Sequence, residues 1–200
     1  MADLMKPHRI SLACYAFALL IVPLSAIAAD TYKIDPVHSY VGFSVSHLVI
    51  NDVKGKFTEF SGTIVLDGKQ LKEAKGTIET KTIDTGNAMR DKDLRSPNFF
   101  DVEKYPTITF ETTSVETKGG EPMLVGKFNM HGVTKEISLP AKVRGPVKDP
   151  WGNERIGLQT KTKIKRMDYG MTYNKTLETG GLLVGDEVEI EINTEATKAK

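Results

Sequence analysis

Three histidines lie beyond the first 28 residues, and histidine is the side chain best suited to acid–base or metal chemistry. No two of them lie two to five residues apart, and the only cysteine, Cys14, is far upstream, so the spacing predicts no metal site. His131 precedes Gly132, which indicates a turn, and His38 falls at the start of the first strand-like stretch. Only His47 follows the inward alternation of its apolar neighbours. We expect it to be either a buried neutral histidine or a ligand contact.

Motifs for covalent catalysis are missing from the sequence. There is no Gly-x-Ser-x-Gly, and most acidic residues fall on the outward positions of strand-like stretches. Gly180-Gly181 precedes a strand rather than a helix, which favours a turn over a nucleotide-binding loop. We therefore expect no catalytic residue and no cofactor. An enzyme that acts on a lipid head group through His47 and a nearby acid is the weaker alternative.

The densest polar cluster consists of Arg90, Asp91 and Arg95. It lies near residues 86–100, a segment whose pattern predicts one short helix. Arginine presents a fork of donors that suits phosphates and carboxylates. Arg90 and Arg95 are therefore candidates for binding an anionic head group, and an ordinary ion pair of Arg95 with Asp91 or Asp101 is the alternative.

The elements that must position these residues are strands. In the stretch from Glu187 to Ile192, carboxylates alternate with β-branched residues, which is typical of a strand with one wet and one dry face. Seven further stretches show similar alternation, so we expect eight strands, joined by short polar turns and therefore antiparallel. The apolar parity changes near Thr58-Glu59, which predicts a bulge or bend.

An apolar face on such a sheet must either pack on a second sheet or close into a barrel. The inward positions alternate small residues with aromatic ones, which favours a barrel with internal space; a tapered, fully packed core is the alternative. Besides the two arginines, the candidate ligand-binding residues are Phe43, His47, Phe60, Phe110, Gly126, Phe128, Ala141 and Leu158.

The first 28 residues resemble a secretory signal peptide. Lys6 and Arg9 precede an apolar stretch over residues 10–24, which is shorter than the roughly 20 residues that span a bilayer. Ala26-Ile27-Ala28 fits a signal peptidase site, so we expect cleavage before Ala29 and a periplasmic location. Residues 29–200 would then form one domain.

The charge balance argues against a nucleic-acid partner. The chain has 27 Lys plus Arg and 26 Asp plus Glu, and the predicted signal peptide contains two of the former and one of the latter. The remaining chain is formally neutral, with both signs mixed, unlike a protein that binds a polyanion.

Several sequence blocks closely resemble the YceI-like family. Each block is weak by itself, but their order across nearly the whole predicted domain is specific. The blocks are Tyr32-Lys33-Ile34-Asp35-Pro36-Val37-His38-Ser39, His47-Leu48, Phe60-Ser61-Gly62, Arg90-Asp91 with Leu94-Arg95-Ser96, Phe99-Phe100-Asp101, Lys104-Tyr105-Pro106, Gly132-Val133-Thr134-Lys135, Asp149-Pro150-Trp151-Gly152 and Gly180-Gly181-Leu182-Leu183-Val184-Gly185-Asp186.

This resemblance implies an eight-stranded, antiparallel, lipocalin-like barrel in the periplasm, with a tunnel that binds a polyisoprenoid or a similar amphiphile. Polyprenyl phosphate and isoprenoid quinone are the candidate ligands, and a membrane cytochrome or another envelope component is a candidate partner. The family also has stress-response associations, so a structural stress protein with a filled barrel is an alternative function. Monomer and homodimer both stay open. The chain departs from the family pattern at Asp93, commonly histidine, and at Asn98, commonly aspartate.

Overall fold

The computed structural model describes residues 29–178 and 180–200. The predicted signal peptide lies outside the described residues. Within them the chain forms one α-helix, α1 (Ala88–Arg95), and eleven strand segments. These are β1 (Asp30–His47), β2 (Asn51–Phe57), β3 (Phe60–Asp67), β4 (Gln70–Glu79), β5 (Ile83–Asp84), β6 (Thr107–Lys118), β7 (Glu121–Met130), β8 (Val133–Pro140), β9 (Lys142–Lys148), β10 (Glu154–Lys165) and β11 (Val184–Lys198).

The eleven segments form eight strands, because three of the eight are each divided into two segments by a short interruption. Thr58 and Glu59 separate β2 from β3, and both segments pair with β1, so this is the bend that the change of parity predicts. A short 3₁₀ turn, Thr80–Thr82, separates β4 from β5, and Ala141 alone separates β8 from β9. Interrupted strands are how a sheet acquires the local bends that closure requires.

The strand order closes the sheet into an antiparallel barrel. β8 and β9 stand at the two ends of the order β8-β7-β6-β4-β3-β1-β11-β10-β9, yet they follow one another in the chain. The continuous strand that they form pairs with β7 through its first half and with β10 through its second half. The fold is therefore the antiparallel barrel that the sequence predicts.

Alternating side chains explain which face of each strand turns inward. On β11, Ile192 packs in the interior, while Glu189 and Glu187 face solvent. There the two carboxylates pair with β10, at 2.7 Å to Lys161 and 2.6 Å to Lys163. Two hydrophobic clusters lie in the interior, one around Leu66 and Leu124 and the other around Ile83 and Phe128.

Helix α1 lies at one end of the barrel. Asn87 caps it by accepting hydrogen bonds from the backbone N–H groups of Met89 and Arg90. Leu94 packs against the hydrophobic cluster around Phe128. Among residues 29–178 and 180–200, no helix combines the length and the apolar character needed to cross a membrane.

Candidate functional site

The barrel interior contains two neighbouring cavities. The space open to the centre of a water molecule is about 100 Å³ in cavity 1 and about 110 Å³ in cavity 2. Side chains of both hydrophobic clusters line cavity 1, and the end of the barrel near α1 encloses cavity 2. The lining residues common to both cavities are Val41, Ile78, Ile108, Phe128, Ile190 and Ile192. The two cavities therefore adjoin one another inside the barrel, and we call the two together the apolar tunnel.

Five of the candidate ligand-binding residues line this tunnel. Phe60, Phe110 and Leu158 line cavity 1, Phe43 lines cavity 2, and Phe128 lies where the two meet. All five occupy inward positions on strands, so the period-two pattern placed them there. They give the tunnel wide hydrocarbon surfaces and no charge.

Gly126 and Ala141 line neither cavity. The prediction that Gly126 leaves open space is wrong, because the ring of Phe110 occupies the space where a side chain on residue 126 would lie. A Cβ at Gly126 would lie 2.6 Å from Cζ of Phe110 and would also clash with the carbonyl oxygen of Glu111. Ala141 is 3% exposed and packs in the cluster around Leu124.

The three histidines lie apart from the tunnel. His47 ends β1 opposite Asn51 and Val184, is half-buried and lines neither cavity, so its contact with a ligand stays a prediction. His131 is in a turn, as predicted, and its Nδ1 lies 3.0 Å from the carbonyl oxygen of Tyr169. His38 is exposed on the outside of the barrel.

The guanidinium groups of Arg90 and Arg95 form hydrogen bonds within the protein, and neither residue lines the tunnel. Arg95 donates to the carbonyl oxygens of Lys81 at 2.7 Å and Ile83 at 2.6 Å. Arg90 donates to the hydroxyl and the carbonyl oxygen of Thr85, at 2.7 and 3.0 Å. The donors of both arginines fasten α1 to the chain that precedes it, so a head-group role stays a prediction. Among the described residues, Arg95 forms no ion pair with Asp91 or Asp101.

We expect Arg95→Ala to lower the free energy of unfolding by about 1–3 kcal/mol, because the carbonyl groups of Lys81 and Ile83 lose a charged donor. Thermal unfolding followed by circular dichroism measures the change. Lys92→Ala, on the same helix but exposed, is the control and is expected to change little. A loss of lipid binding with unchanged stability would instead return Arg95 to a head-group role.

Arg166 is a buried charged residue at the tunnel that sequence reasoning missed. It is 3% exposed and borders cavity 2. Its guanidinium donates to the carbonyl oxygens of Gly185, Met171 and Val184, at 2.9, 2.6 and 3.3 Å. Desolvation lowers its pKa, and the nearby charge of Asp186 opposes that shift. The sequence signal for its inward position was the period-two alternation of β10, which Arg166 continues.

Thr160 places an unsatisfied hydroxyl in the wall of cavity 1. Its Oγ1 is buried and has no hydrogen-bond partner among the described residues. Thr194 lines the same cavity and is equally buried, at 7% exposure, but its hydroxyl donates to the carbonyl oxygen of Leu158 at 3.2 Å. The two threonines therefore form a matched pair that differs in one hydrogen bond.

We expect Thr160→Val to raise the free energy of unfolding by about 1–2 kcal/mol, because it removes a buried polar group that lacks a partner. Thr194→Val, the control, is expected to lower it, since the same change there breaks a hydrogen bond. Denaturant unfolding of both variants measures the difference. Destabilisation of similar size in both variants would show that the Thr160 hydroxyl has a partner.

A network of charged residues lies on the outside of the barrel. Arg155 donates to Asp149 at 2.7 Å, to Asp35 at 3.0 Å and to Glu195 at 2.6 Å. Desolvation would raise the pKa of Asp149, but the hydrogen bonds from Arg155 and Asn153 outweigh it and lower the pKa to about 2. The network therefore joins Asp35-Pro36 in β1 to Asp149-Pro150, which lies between β9 and β10.

A metal ion would have to compete with Arg155 for the carboxylates of this network. Asp35, His38 and Glu195 bring one ligand atom each within 4.8 Å of the others, an arrangement that the histidine spacing did not predict. The Arg155 guanidinium donates to both carboxylates of this group. The geometry supports a structural ionic cluster.

The closed antiparallel barrel with a narrow apolar tunnel defines the protein as a lipocalin-like β-barrel. Within that class, the chain belongs to the YceI-like family, because residues 32–196 match the YceI-like domain. A protein called YceI from Salmonella agona is 38% identical over 190 residues, covering 93% of this chain and 96% of the relative. The YceI protein of Salmonella newport is 40% identical over 187 residues, covering 92% and 94%.

Solved structures agree on the fold. The Campylobacter jejuni YceI protein superposes with a TM-score of 0.66 at 32% identity, covering 78% of this chain and 90% of that one. BcnA of Burkholderia cenocepacia has a TM-score of 0.72 at 23% identity, covering 82% and 99%. A domain from Saccharophagus degradans, described as polyisoprenoid-binding and implicated in plant cell wall breakdown, has a TM-score of 0.62 at 18% identity, covering 84% and 98%.

Proposed function

We propose that the protein binds a long-chain amphiphile, a polyisoprenoid or an isoprenoid quinone, whose tail occupies the joined cavities 1 and 2. The observation that carries this proposal is the pair of adjoining cavities with an almost wholly apolar lining. Two cavities in a row suit a chain rather than a compact molecule. The description of the Saccharophagus degradans domain as polyisoprenoid-binding supports the same class of ligand.

The tail supplies most of the affinity in this mechanism. Each buried CH₂ group contributes about 0.8 kcal/mol, whereas one polar head contact contributes about 1–3 kcal/mol. A tail of several isoprene units therefore outweighs any single head-group contact. The protein acts by enclosing its ligand, which we propose is its whole activity, without a chemical step.

A charged head group would stay outside the tunnel. Two cationic residues, Lys75 and Arg166, border the cavities, and both are engaged elsewhere. Lys75 forms ion pairs at 3.0 Å with Glu73 and at 3.0 Å with Glu111. Burying a phosphate without a free cation is strongly unfavourable. A polyprenyl phosphate would therefore keep its phosphate in water, whereas the neutral ring of a quinone has no such restriction.

We also propose that the protein acts in the periplasm, where it would carry or store its lipid for an envelope component such as a membrane cytochrome. The motivating observation is the signal-peptide pattern of residues 1–28. The intact mass of protein from the periplasmic fraction is expected to correspond to a chain that begins at Ala29. A mass that includes residues 1–28 would contradict export by this route.

Solvent extraction tests the proposed function. The protein is purified without added lipid and extracted with organic solvent, and the extract is analysed by mass spectrometry. We expect one dominant isoprenoid alcohol, isoprenoid phosphate or quinone in near-stoichiometric amount. A folded protein that yields no lipid, and that takes up none when polyprenol or quinone is added, would favour the filled barrel of a structural stress protein.

A further inference from the structure

Large apolar side chains are exposed at the end of the barrel where β1 turns into β2. Val49 and Ile50, at the tip of this hairpin, are 69% and 83% exposed, and Leu182 on the neighbouring loop is 39% exposed. We call these three residues the rim patch. Grouped exposure of apolar side chains marks a contact surface more often than scattered exposure does.

The two segments of the rim patch are held together. The backbone N–H of Leu48 donates to the carbonyl oxygen of Leu183 at 2.9 Å. Cγ2 of Val49 lies 3.1 Å from the position that a Cβ on Gly181 would take. The three side chains therefore belong to one connected surface.

The hairpin keeps these side chains outward at a conformational cost. Leu48 and Val49 have φ angles of 56° and 65°, in the left-handed region. This region is rare for residues other than glycine, and a β-branched residue there is an outlier. Asparagine or glycine would form such a hairpin turn with less strain, and strain of this kind clusters at sites of function.

The rim patch lies at the end of the barrel that holds cavity 2. Val45, four residues before Val49, lines that cavity, and so does Val184, two residues after Leu182. The ends of β1 and β11 therefore bring the rim patch and cavity 2 to the same end of the barrel. Val147, which is 61% exposed, lies at the opposite end.

We propose that the rim patch docks on a lipid bilayer, so that a tail passes between the membrane and cavity 2 without crossing water. This inference rests on the proposed function, because a bilayer is where a long-chain amphiphile resides. The position of the patch, at the end of the barrel that holds cavity 2, favours a bilayer over a protein surface. The charges that follow the tip, Asp52 and Lys54, are of opposite sign, so docking does not depend on anionic lipid.

The test measures flotation with neutral phosphatidylcholine vesicles and the rate at which the protein extracts polyprenol from them. Ile50→Asp and, separately, Leu182→Asp are expected to lower both quantities about ten-fold or more, because a charge replaces a side chain that enters the apolar phase. Val147→Asp is the matched control, with a similar exposed apolar residue at the other end, and is expected to leave both unchanged. Using two variants on separate segments guards against a local folding defect in one of them.

A second delivery route separates this inference from the proposed function. All variants are expected to bind polyprenol normally when it is added in detergent micelles. Normal extraction from vesicles by Ile50→Asp and Leu182→Asp would overturn docking by the rim patch, and so would a loss caused by Val147→Asp alone. Failure of the unmodified protein to bind polyprenol by either route would instead overturn the proposed function. Flotation lost for every variant alike would show that the contact is not specific to the rim.

Discussion

A Gly76→Ile variant is expected to fold and to retain less than about a tenth of the lipid bound by the unmodified protein. Gly76 lines cavity 1, and the nearest atom to its missing Cβ is the carbonyl oxygen of Ser61, at 3.8 Å. Its parity matches that of Ala74 and Ile78, so an added side chain points into the tunnel. Four carbon atoms there would take up much of the space in cavity 1, about 100 Å³, that is open to the centre of a water molecule. Lipid extraction and native mass spectrometry measure the loss.

Stability is not expected to fall in this variant. Glycine inside a strand costs about 0.5–1 kcal/mol relative to alanine, and isoleucine suits a strand. Gly157→Ile is the control, because it adds the same side chain on the outer face of β10, where the nearest atom to a Cβ lies 3.7 Å away. If Gly76→Ile folds and still holds a full complement of lipid, the ligand does not occupy cavity 1. Gly126→Phe would not answer the question, since it must displace Phe110.

An Arg155→Met variant is expected to lower the melting temperature by several degrees at neutral pH. Asp35, Asp149 and Glu195 would then face one another without the cation that joins them. Like charges left together without a counterion are strongly destabilising when water is partly excluded. Lys163→Met is the control, because it removes one ion pair whose two side chains are 58% and 57% exposed, and such pairs contribute little.

Acid is expected to remove the difference between Arg155→Met and the unmodified protein. The pKa of Asp149 is about 2 in the folded state, below its ordinary value of 3.8. The hydrogen bond with His38, together with that from Arg155, lowers the pKa of Asp35 against desolvation. A lowered carboxyl pKa stabilises the fold above the unfolded value and loses that effect as the pH falls through the folded value. The melting-temperature difference should therefore be full at pH 5 and shrink between about pH 4 and pH 2. A constant difference across this range would contradict the network.

Local sequence pattern predicted the features that depend on strand geometry. Period-two alternation indicated eight strands, and the change of parity near Thr58 and Glu59 located the interruption between β2 and β3. The same rule placed Phe43 and Phe128 in the tunnel wall. These predictions succeed because a strand's inward and outward faces follow from the backbone alone.

Features that depend on long-range packing were not predictable in this way. Nothing near Gly126 in the sequence shows that Phe110, on the neighbouring strand, fills its inward space. Arg95 has a guanidinium group that could bind an anion. Its hydrogen bonds go instead to carbonyl oxygens of a segment more than ten residues away. Arg166 continues the inward alternation of β10. Because a charged side chain is rarely buried, alternation alone does not predict its position in the interior.

A crystal structure of the lipid-loaded protein tests the central claim most directly. The protein would be saturated with a single polyprenol or isoprenoid quinone before crystallisation. We expect continuous density for the tail from Leu124 in cavity 1, past Phe128, to Met171 in cavity 2, with the head group at one end. Density for the lipid on the outer surface, with both cavities still empty, would contradict a tunnel that encloses the tail.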